Sequence, residues 1–567
     1  MNLQLSRSHI RWLNIAILMV LAFIAILPLL GIGWFPSHES LNPVSRVFAL
    51  AYEIKQGDWY PRWLSLANAR QGSPMFNYYS PAAYLIPAYL SAMGLPILVA
   101  MKLMVWLVFL TGGIGMYLWI KPHTTRSAAM VAAIVYMYAP YHFVDLYVRG
   151  AMAEFTALAL LPLLFLGIDH SLSGDGRRGF LIVALSSTAL VLTHNLSALM
   201  IAPFAVLYGC ALAFRRKSST SIISRSLLGP TLGLLLSAFY WLPMILEQDY
   251  IQSLGTMMTS GDFYYGKHFI QPQQWLATTW SYGDSLPGPL GQMSLQIGIT
   301  LLLCALIATL AWRRIPKHAQ RFGVLCAILA ALGLLMTTAL ATFIYESIPS
   351  FKYVQFPWRF MGQTGLFLSA YCGLIVYLGQ SNHQRAAIVG IVVLATLFFS
   401  IDQRDVAKGI NLPDDYITKV LITERRMGDP GGIGEYNPIW SNNTRLSWFG
   451  PVSTDPNTPL RVSHFETSGS TMTFTVANPK PLQLTLPWYY FPGWRVEIDG
   501  VATKISPSKE GFINFDLPRG DHQIRAYYGT TGPRQAAWFM TLLGLCGIAF
   551  LGWRLFRRPA KQEELKS

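Results

Sequence analysis

The apolar residues of this chain are grouped into long runs that short polar segments separate. Runs of about 16 to 24 residues recur up to residue 401, and another lies near the C-terminus. At about 1.5 Å per residue such a run crosses a hydrocarbon core roughly 30 Å thick, where only a helix satisfies the backbone groups. The pattern predicts a polytopic α-helical membrane protein with about twelve crossings, at 12–32, 97–120, 127–141, 152–170, 180–194, 198–214, 226–245, 296–312, 322–342, 361–379, 386–401 and 535–556.

One apolar segment, 81–95, is too short to assign by length alone. If it crossed the membrane, Lys121 and Arg126 would lie outside, against the preference of basic residues for cytoplasmic loops. An interfacial or re-entrant helix over 82–95 is therefore favoured.

A different period appears between residues 402 and 534. Apolar and polar residues alternate in TMTFTVAN, LQLTLPW and GWRVEIDG, with Pro, Gly and Asn between them, which predicts an extracytoplasmic β-sandwich-like domain before the last transmembrane helix. The aromatic run 488–494 could stack on sugar rings. A place in the β core or on the membrane surface explains it more simply.

Composition and charge complete the predicted topology. The chain is 53% hydrophobic and 13% charged, with a net charge of +15, and its basic residues cluster at helix ends rather than on a nucleic-acid surface. We therefore predict an integral membrane protein with both termini cytoplasmic. The predicted parts are a membrane domain, 1–401, with large outer loops at 33–81 and 246–295, the β-rich domain 402–534, and a last helix with a basic tail, 535–567.

The first outer loop carries the leading candidate for catalysis. His38 and Glu39 follow the first crossing, at the depth where a lipid headgroup would present a phosphate. The Glu39 carboxylate could act as a general base on an incoming hydroxyl, while a phosphate leaving group needs little protonation. His38 would position or tune Glu39. The alternative is that Glu39 is a solvated loop residue or a helix cap.

Two arginines at the outer ends of helices are candidates for a phosphate site. Arg149 follows the third crossing with Glu154 close behind it, and Arg359 begins the tenth. A guanidinium binds phosphate through a planar fork of donors, and a helix N-terminus also attracts anions. A plain interhelical salt bridge between Arg149 and Glu154 is the competing explanation.

Further polar and aromatic residues are predicted to support this site or to cover it. Simpler roles, such as helix capping, an interfacial hydrogen bond or a Trp and Tyr belt, account for each of them separately. The supporting candidates are Asp145, Glu154, His194, Arg62, Tyr79 and Trp358, and the acceptor or lid candidates are His268, Trp280 and Tyr282.

Other chemistry has little support in the sequence. The five cysteines all fall in apolar runs, without disulfide or metal spacing. No P-loop, GxGxxG, HExxH, CxxC or GxSxG motif occurs in its required context, so nucleotide hydrolysis, Rossmann cofactors and zinc proteolysis are not indicated. No cofactor is predicted with certainty. A divalent metal is possible, but no paired-carboxylate motif supports it.

Several segments resemble a known group of proteins: GDWYPRW…GSPMFNYYSP, YVRGAMAE, FPWRF and FPGWRVEIDG…FDLPRGDHQIRAYY. Through them the chain is similar to the GT-C superfamily of polytopic glycosyltransferases, and more specifically to bacterial membrane proteins labelled "6-pyruvoyl-tetrahydropterin synthase-related". The resemblance implies a large first outer loop with an acidic catalytic residue, which maps onto Glu39, and an amphipathic helix there, which fits 82–95. Many relatives have two adjacent acids where this chain has His38 and Glu39, which puts a metal site in doubt.

The resemblance implies a bacterial inner (cytoplasmic) membrane as the location. Together with it, the sequence predicts an inverting, polyprenyl-phosphate-sugar-dependent glycosyltransferase with an extracytoplasmic active site. Its partners would be the lipid-linked sugar and an envelope glycan, lipid or protein acceptor, with no role for nucleic acid. A lipid or glycan transporter or flippase remains an alternative, although transporter sites lie near the midplane and this polar cluster is one-sided. A non-catalytic envelope assembly factor is the other.

Overall fold

A computed structural model describes most of the chain as helices, followed by β-sheets before the last helix. The described residues are 7–31, 33–39, 41–173, 176–252, 261–288, 293–406, 413, 415–416, 419–420, 427–428, 431–432, 434–442, 450–453 and 460–556. Parts of the predicted loop 246–295 and of the predicted domain 402–534, and the basic tail after residue 556, lie outside them.

Seventeen α-helices of six or more residues lie in the described part of the chain. In chain order, helices α1 to α17 are Arg7–Ala25, Asn42–Lys55, Ala82–Ala92, Ile97–Ile120, Arg126–Met137, Met152–Ser171, Gly176–Thr193, Asn195–Arg216, Thr220–Ser226, Leu228–Leu236, Ala238–Leu246, Ile299–Leu310, Lys317–Met336, Thr342–Ser347, Met361–Cys372, Asn382–Phe399 and Gly532–Phe556. One-turn helices are Ala67–Arg70, Pro140–Phe143 and Pro272–Trp275.

Within the described residues, eight helical stretches are long and apolar enough to cross a membrane, and the pair α10 and α11 makes a ninth if it counts as one span. The eight are Ile97–His123, Arg126–Arg149, Met152–Ser171, Asn195–Arg216, Lys317–Met336, Pro357–Leu378, Asn382–Phe399 and Gly532–Leu551. The other predicted crossings fall on shorter apolar helices, Trp12–Ala25, Arg178–Thr193 and Ile299–Leu310. The prediction of a mostly helical membrane protein is confirmed, whereas the count of twelve stays a prediction.

The predicted crossing 226–245 is a bent pair rather than a straight helix. Helices α10 and α11 meet at 70° around Ser237, whose hydroxyl donates to the Gly233 carbonyl at 2.8 Å. Such a bond competes with the helical ladder and favours a bend. The Phe239 N–H donates instead to Thr541 Oγ1 of α17 at 2.9 Å, so α17 stabilises the break.

The described residues of the β-rich part form two antiparallel sheets. Their strands, β1 to β9, are Val452–Ser453, Arg461–Ser468, Thr471–Asn478, Leu482–Tyr489, Trp494–Ile498, Val501–Thr503, Ile505–Pro507, Phe512–Leu517 and Gly520–Tyr528. One sheet has the order β1-β4-β8-β7 and the other β2-β3-β9-β5-β6. Along β3 every second residue is buried, from Met472 to Asn478, as the alternation predicts.

The two sheets and the first loop share one hydrophobic core. Trp488 and Trp494 of the predicted aromatic run are buried in it and stack at 4.8 Å between ring centroids. Trp63 of the first loop inserts beside them, with its ring 5.1 Å from Trp494 and 5.4 Å from Tyr528. These aromatics therefore pack the core instead of presenting a sugar platform.

Glu53 on α2 is a second contact between the first loop and the sheets. Its carboxylate is fully buried, and Oε1 accepts hydrogen bonds from the Ser65 N–H at 2.7 Å and the Ser65 hydroxyl at 2.5 Å. Oε2 has no hydrogen-bond partner among the described residues. Gly469, in the β2–β3 turn with a left-handed φ of 53°, packs so closely on Oε2 that an added Cβ would lie 2.6 Å away.

This burial makes stability depend on pH. Burial raises the pKa of the Glu53 carboxyl from 4.5 to about 7, although the Ser65 bonds oppose the rise and nearby Asp58 adds to it. Between these two pKa values the folded protein holds a proton that the unfolded chain loses, so the contribution of Glu53 to stability is fully present only below pH 4.5. It should fall by up to roughly 3 kcal/mol as the pH rises through 7.

Replacing Glu53 with glutamine should flatten this dependence, since the amide can still accept both Ser65 bonds and does not ionise. We expect wild type to lose more thermal stability than Glu53→Gln between pH 5 and 8 in unfolding scans by tryptophan fluorescence. Glu346→Gln, at an exposed acid, is the control and should follow wild type. Parallel curves for Glu53→Gln and wild type would contradict the prediction.

Candidate active site

Three central helical spans converge on one group of charged residues. The spans Arg126–Arg149, Met152–Ser171 and Pro357–Leu378 are the most buried of the eight, at 94%, 83% and 83%. Each carries a site candidate at or near one end: Arg149, Glu154 and Arg359 respectively. Charges inside a membrane protein are costly, so their concentration at the meeting point of the best-packed helices indicates a function.

Glu154 joins the two arginines. Its Oε2 accepts a hydrogen bond from Arg149 Nη1 at 2.8 Å and forms an ion pair with Arg359 Nε at 3.1 Å. Its Oε1 accepts from the Tyr141 hydroxyl at 2.6 Å. Arg149 Nη1 also contacts Asp145 Oδ1 four residues earlier. Two arginines and two acidic side chains thus lie in direct contact in one buried cluster.

The arginines keep donors for a ligand. In the described part of the chain, every hydrogen bond of the Arg149 side chain leaves from Nη1, and those of Arg359 leave from its own Nη1, to Val354 O and Gln355 Oε1. The Nη2 groups of both are therefore available. A phosphate oxygen would form charge-assisted hydrogen bonds there.

Aromatic rings hold the two guanidinium groups in place. Arg149 lies over the Trp358 ring at 4.6 Å from its centroid, and Arg359 over the Phe356 ring at 5.0 Å. The rings stack on each other with centroids 5.0 Å apart. Trp358 Nε1 is buried and has no hydrogen-bond partner among the described residues, which leaves a donor beside the cluster.

The first loop is attached to the same place through its backbone. The His38 N–H donates to the Val148 carbonyl at 2.9 Å, and the Glu39 N–H donates to the Arg149 carbonyl at 3.0 Å. Val148 and Arg149 end a π-helical turn, Val144–Arg149, after which Gly150 turns the chain with a left-handed φ of 70°. A Cβ at Gly150 would lie 2.2 Å from Ser37 Oγ, so glycine permits this approach.

Among the described residues, the charged partner of Glu39 is Arg46 of α2. Arg46 Nη1 donates to Glu39 Oε2 at 2.6 Å and to the Tyr84 hydroxyl at 2.9 Å, and Tyr79 lies under the same guanidinium at 4.9 Å. Burial raises the pKa of the Tyr79 hydroxyl, with smaller effects from the charges of Glu39, Arg46 and Arg359. Tyr79 therefore contacts Arg46 and lies within electrostatic range of both Glu39 and Arg359.

The loop that begins at residue 246 contacts His38 beside Glu39 and Phe356 beside Arg359. His38 Nε2 donates to the Tyr282 carbonyl at 2.9 Å, so in the described structure the His38 ring contacts this loop rather than the Glu39 carboxylate. His268 packs edge-on against Phe356 with centroids 4.6 Å apart. The ring centroids of Trp280 and Tyr282 lie 6.5 Å apart. The Tyr282 hydroxyl donates to the Asp405 carbonyl at 2.5 Å.

Two supporting candidates have other structural roles. His194 caps α8, because its Nδ1 accepts from the Ser197 N–H at 3.3 Å, although it lies near enough to interact electrostatically with Glu154. Arg62 lies apart from the cluster and donates to Asn77 Oδ1 at 3.2 Å and to the Phe239 carbonyl at 2.5 Å. The structure thus brings Arg62 to the joint between α11, the first loop and the sheets.

Sequence reasoning missed Arg46, Tyr84 and Tyr141. Arg46 is 2% exposed inside the otherwise apolar stretch PVSRVFALA, and a lone cation in such a stretch is the signal that could have identified it. Among the described residues no group of three or more His, Cys, Asp or Glu side chains could hold a metal ion.

Comparison with known proteins identifies the family. A family model described as "6-pyruvoyl-tetrahydropterin synthase related domain; membrane protein" matches residues 76–404, more than half of the chain. A curated "Uncharacterized protein" of Lactococcus lactis subsp. cremoris is 26% identical over 130 residues, 22% of this chain and 21% of that protein. The chain thus spans about a fifth of the length of that relative.

Solved structures with a partial likeness were also found. The arabinofuranosyltransferase AftD from Mycobacteria is 17% identical with a TM-score of 0.42, over 70% of this chain and 26% of AftD. ArnT from Cupriavidus metallidurans, solved with undecaprenyl phosphate, is 13% identical with a TM-score of 0.25, over 81% of this chain and 96% of ArnT. Likeness at this level assigns neither a substrate nor a site.

Proposed function

We propose that this chain, which belongs to the 6-pyruvoyl-tetrahydropterin synthase related family of membrane proteins, is a membrane glycosyltransferase. It would move a sugar from a polyprenyl-phosphate donor to an acceptor in the cell envelope, on the extracytoplasmic face. The pterin enzyme in the family's name enters no part of this proposal. The observation that supports it is the 3.0 Å hydrogen bond from the Glu39 N–H to the Arg149 carbonyl, because it joins the backbone of the assigned base to one of the two arginines paired with Glu154.

The chemistry assigned to these residues is a single displacement. The Nη2 groups of Arg149 and Arg359 donate hydrogen bonds to the phosphate of the lipid-linked sugar. Glu39 takes the proton of a hydroxyl on the acceptor. The acceptor oxygen then bonds to the anomeric carbon while the bond from that carbon to the phosphate oxygen breaks. The polyprenyl phosphate leaves with the electron pair, and the sugar changes its anomeric configuration. A base positioned in this way contributes about 10²- to 10⁴-fold to the rate.

The pairing of arginines with acidic side chains in the cluster suits this lipid-linked sugar. Two unpaired buried guanidinium groups would be costly in the absence of substrate, and Glu154 with Asp145 removes that cost. The phosphodiester of the lipid-linked sugar, which carries one negative charge, then binds to guanidinium N–H groups already held over Trp358 and Phe356. Because the site lies where helical spans end, a lipid-linked donor could reach it laterally from the bilayer.

Transfer from lipid-linked sugars tests the function directly. Purified protein in nanodiscs would be mixed with an envelope extract and a panel of radiolabelled polyprenyl-phosphate sugars, and product would be separated from donor. Transfer from at least one donor is expected. If no donor is turned over, while labelled lipid crosses the bilayer of proteoliposomes that contain the protein, a flippase would replace the proposal.

Arg359 should affect donor binding more than chemistry. We expect Arg359→Gln to raise the KM for the donor about 10- to 100-fold, the effect of losing one or two hydrogen bonds to a charged group. Arg359→Lys keeps the positive charge but loses the planar fork of N–H groups, so its KM should lie between those of wild type and Arg359→Gln. Initial rates against donor concentration measure this split. A fall in kcat at constant KM would remove Arg359 from the phosphate site.

A further inference from the structure

The ion pair between Glu39 and Arg46 lies next to the assigned general base. Resting on the glycosyltransferase function proposed above, we propose that Arg46 is a positioning residue. It fixes the Glu39 carboxylate through Oε2 so that Oε1 receives the proton of the acceptor hydroxyl. Arg46 does not touch the donor in this proposal, which separates its role from those of Arg149 and Arg359.

Arg46 is itself held in place by two tyrosines, Tyr79 and Tyr84. It is 2% exposed and bonds the Tyr84 hydroxyl of α3 at 2.9 Å. Its guanidinium lies over the rings of Tyr79 and Tyr84 at 4.9 and 5.3 Å. A cation anchored by one hydroxyl and two aromatic faces has little freedom, so it can set the position of a carboxylate 2.6 Å away.

The two oxygens of Glu39 are not equivalent. Oε2 accepts the Arg46 bond, whereas Oε1 has no hydrogen bond within the part of the chain that the structure describes. The Glu39 side chain is 28% exposed, against 3% for Arg46, so the carboxylate is accessible and its anchor is not. With the Glu39 backbone fixed on Arg149, both ends of the residue are held, and Oε1 is the atom free to take a proton.

Steady-state kinetics of Arg46 variants test this role. Arg46→Gln should lower kcat about 100-fold with the donor KM changed less than about twofold, since misplacing a catalytic group by about 1 Å costs this much. Arg46→Lys should restore part of kcat. Tyr84→Phe, which leaves both charges in place, should cause a smaller loss of the same kind. Arg461→Gln, at an exposed arginine of β2, is the control and should match wild type.

A second measurement does not depend on turnover. Water-soluble carbodiimide with an amine labels accessible carboxyls, and the Arg46 contact covers Oε2 of Glu39. Mass spectrometry should show severalfold faster labelling of Glu39 in Arg46→Gln than in wild type, with Glu346 unchanged as the internal control.

The outcomes separate this inference from the proposed function. If wild type transfers sugar and Arg46→Gln has the same kcat, or if its donor KM alone rises, the positioning role is overturned and the transferase stands. If wild type transfers no sugar, the transferase is overturned, and labelling then decides whether Arg46 holds Glu39. Unchanged labelling would overturn the contact itself.

Discussion

Changing Glu39 to glutamine should abolish measurable sugar transfer. The amide cannot take a proton from the acceptor hydroxyl, and loss of a general base costs about 10²- to 10⁴-fold in rate. The folding cost should be small, because the glutamine oxygen can still accept the hydrogen bond that Arg46 Nη1 now gives to Oε2 at 2.6 Å. Radiolabelled transfer in nanodiscs, normalised to folded protein, measures the effect.

Two comparisons make this result specific. Glu346→Gln changes an exposed acid and should leave transfer at the wild-type level. Donor binding by Glu39→Gln should persist, since Arg149, Arg359 and Glu154 are untouched. An active Glu39→Gln protein would remove Glu39 as the base. Tolerance at Glu39 combined with loss of function from changes in 402–534 would favour the assembly-factor alternative.

The membrane region could be predicted from hydropathy because crossing helices need long apolar runs. Hydropathy does not report how neighbours interrupt a run. The 70° bend between α10 and α11 depends on a serine bonding its own helix and on Thr541, about 300 residues away. The strands could likewise be predicted from their alternating apolar and polar residues. The insertion of Trp63 into their core could not, because it is a contact between residues far apart in the chain.

The candidate site, too, could be predicted only in part. YVRGAMAE and FPWRF could be singled out because charge at a helix end is unusual, and the structure brings Arg149, Glu154 and Arg359 together. The partner of Glu39 could not be predicted in this way, because Arg46 lies inside α2 and reaches Glu39 only through the fold of the segment that joins them. Arg62, an arginine among the aromatic residues of the first loop, also stood out in the sequence, yet it lies elsewhere, beside Phe239. The sequence therefore shows which charged residues are unusual but not which residues they contact.

Changing Glu247 to glutamine should destabilise the protein severely. Arg534 of α17 donates to Glu247 Oε2 from Nε at 3.0 Å and from Nη2 at 2.9 Å, and Thr531 donates to Oε1. The Glu247 and Arg534 side chains are only 2% and 1% exposed. Breaking such a pair from one side leaves an uncompensated buried charge, at a cost of about 3 to 5 kcal/mol.

The position of the pair determines what is lost. Glu247 follows α11, Arg534 opens α17 directly after the sheets, and the Tyr78 hydroxyl of the first loop donates to the Glu247 carbonyl at 2.7 Å. The change should therefore loosen the joint between sheets and membrane helices. We expect a lower unfolding temperature in nanodiscs and faster proteolysis between the sheets and α17, with Asp249→Asn, at an exposed acid, as the matched control.

A double variant separates charge from packing. Glu247→Leu alone leaves Arg534 unpaired and should be as destabilising as the glutamine. Adding Arg534→Met removes both charges, and a buried pair replaced by apolar residues of similar size often regains stability. Partial or full recovery of the unfolding temperature is therefore expected. If the double variant lost the sum of both single effects, each residue would act through separate packing contacts, and the joint would not depend on their charges.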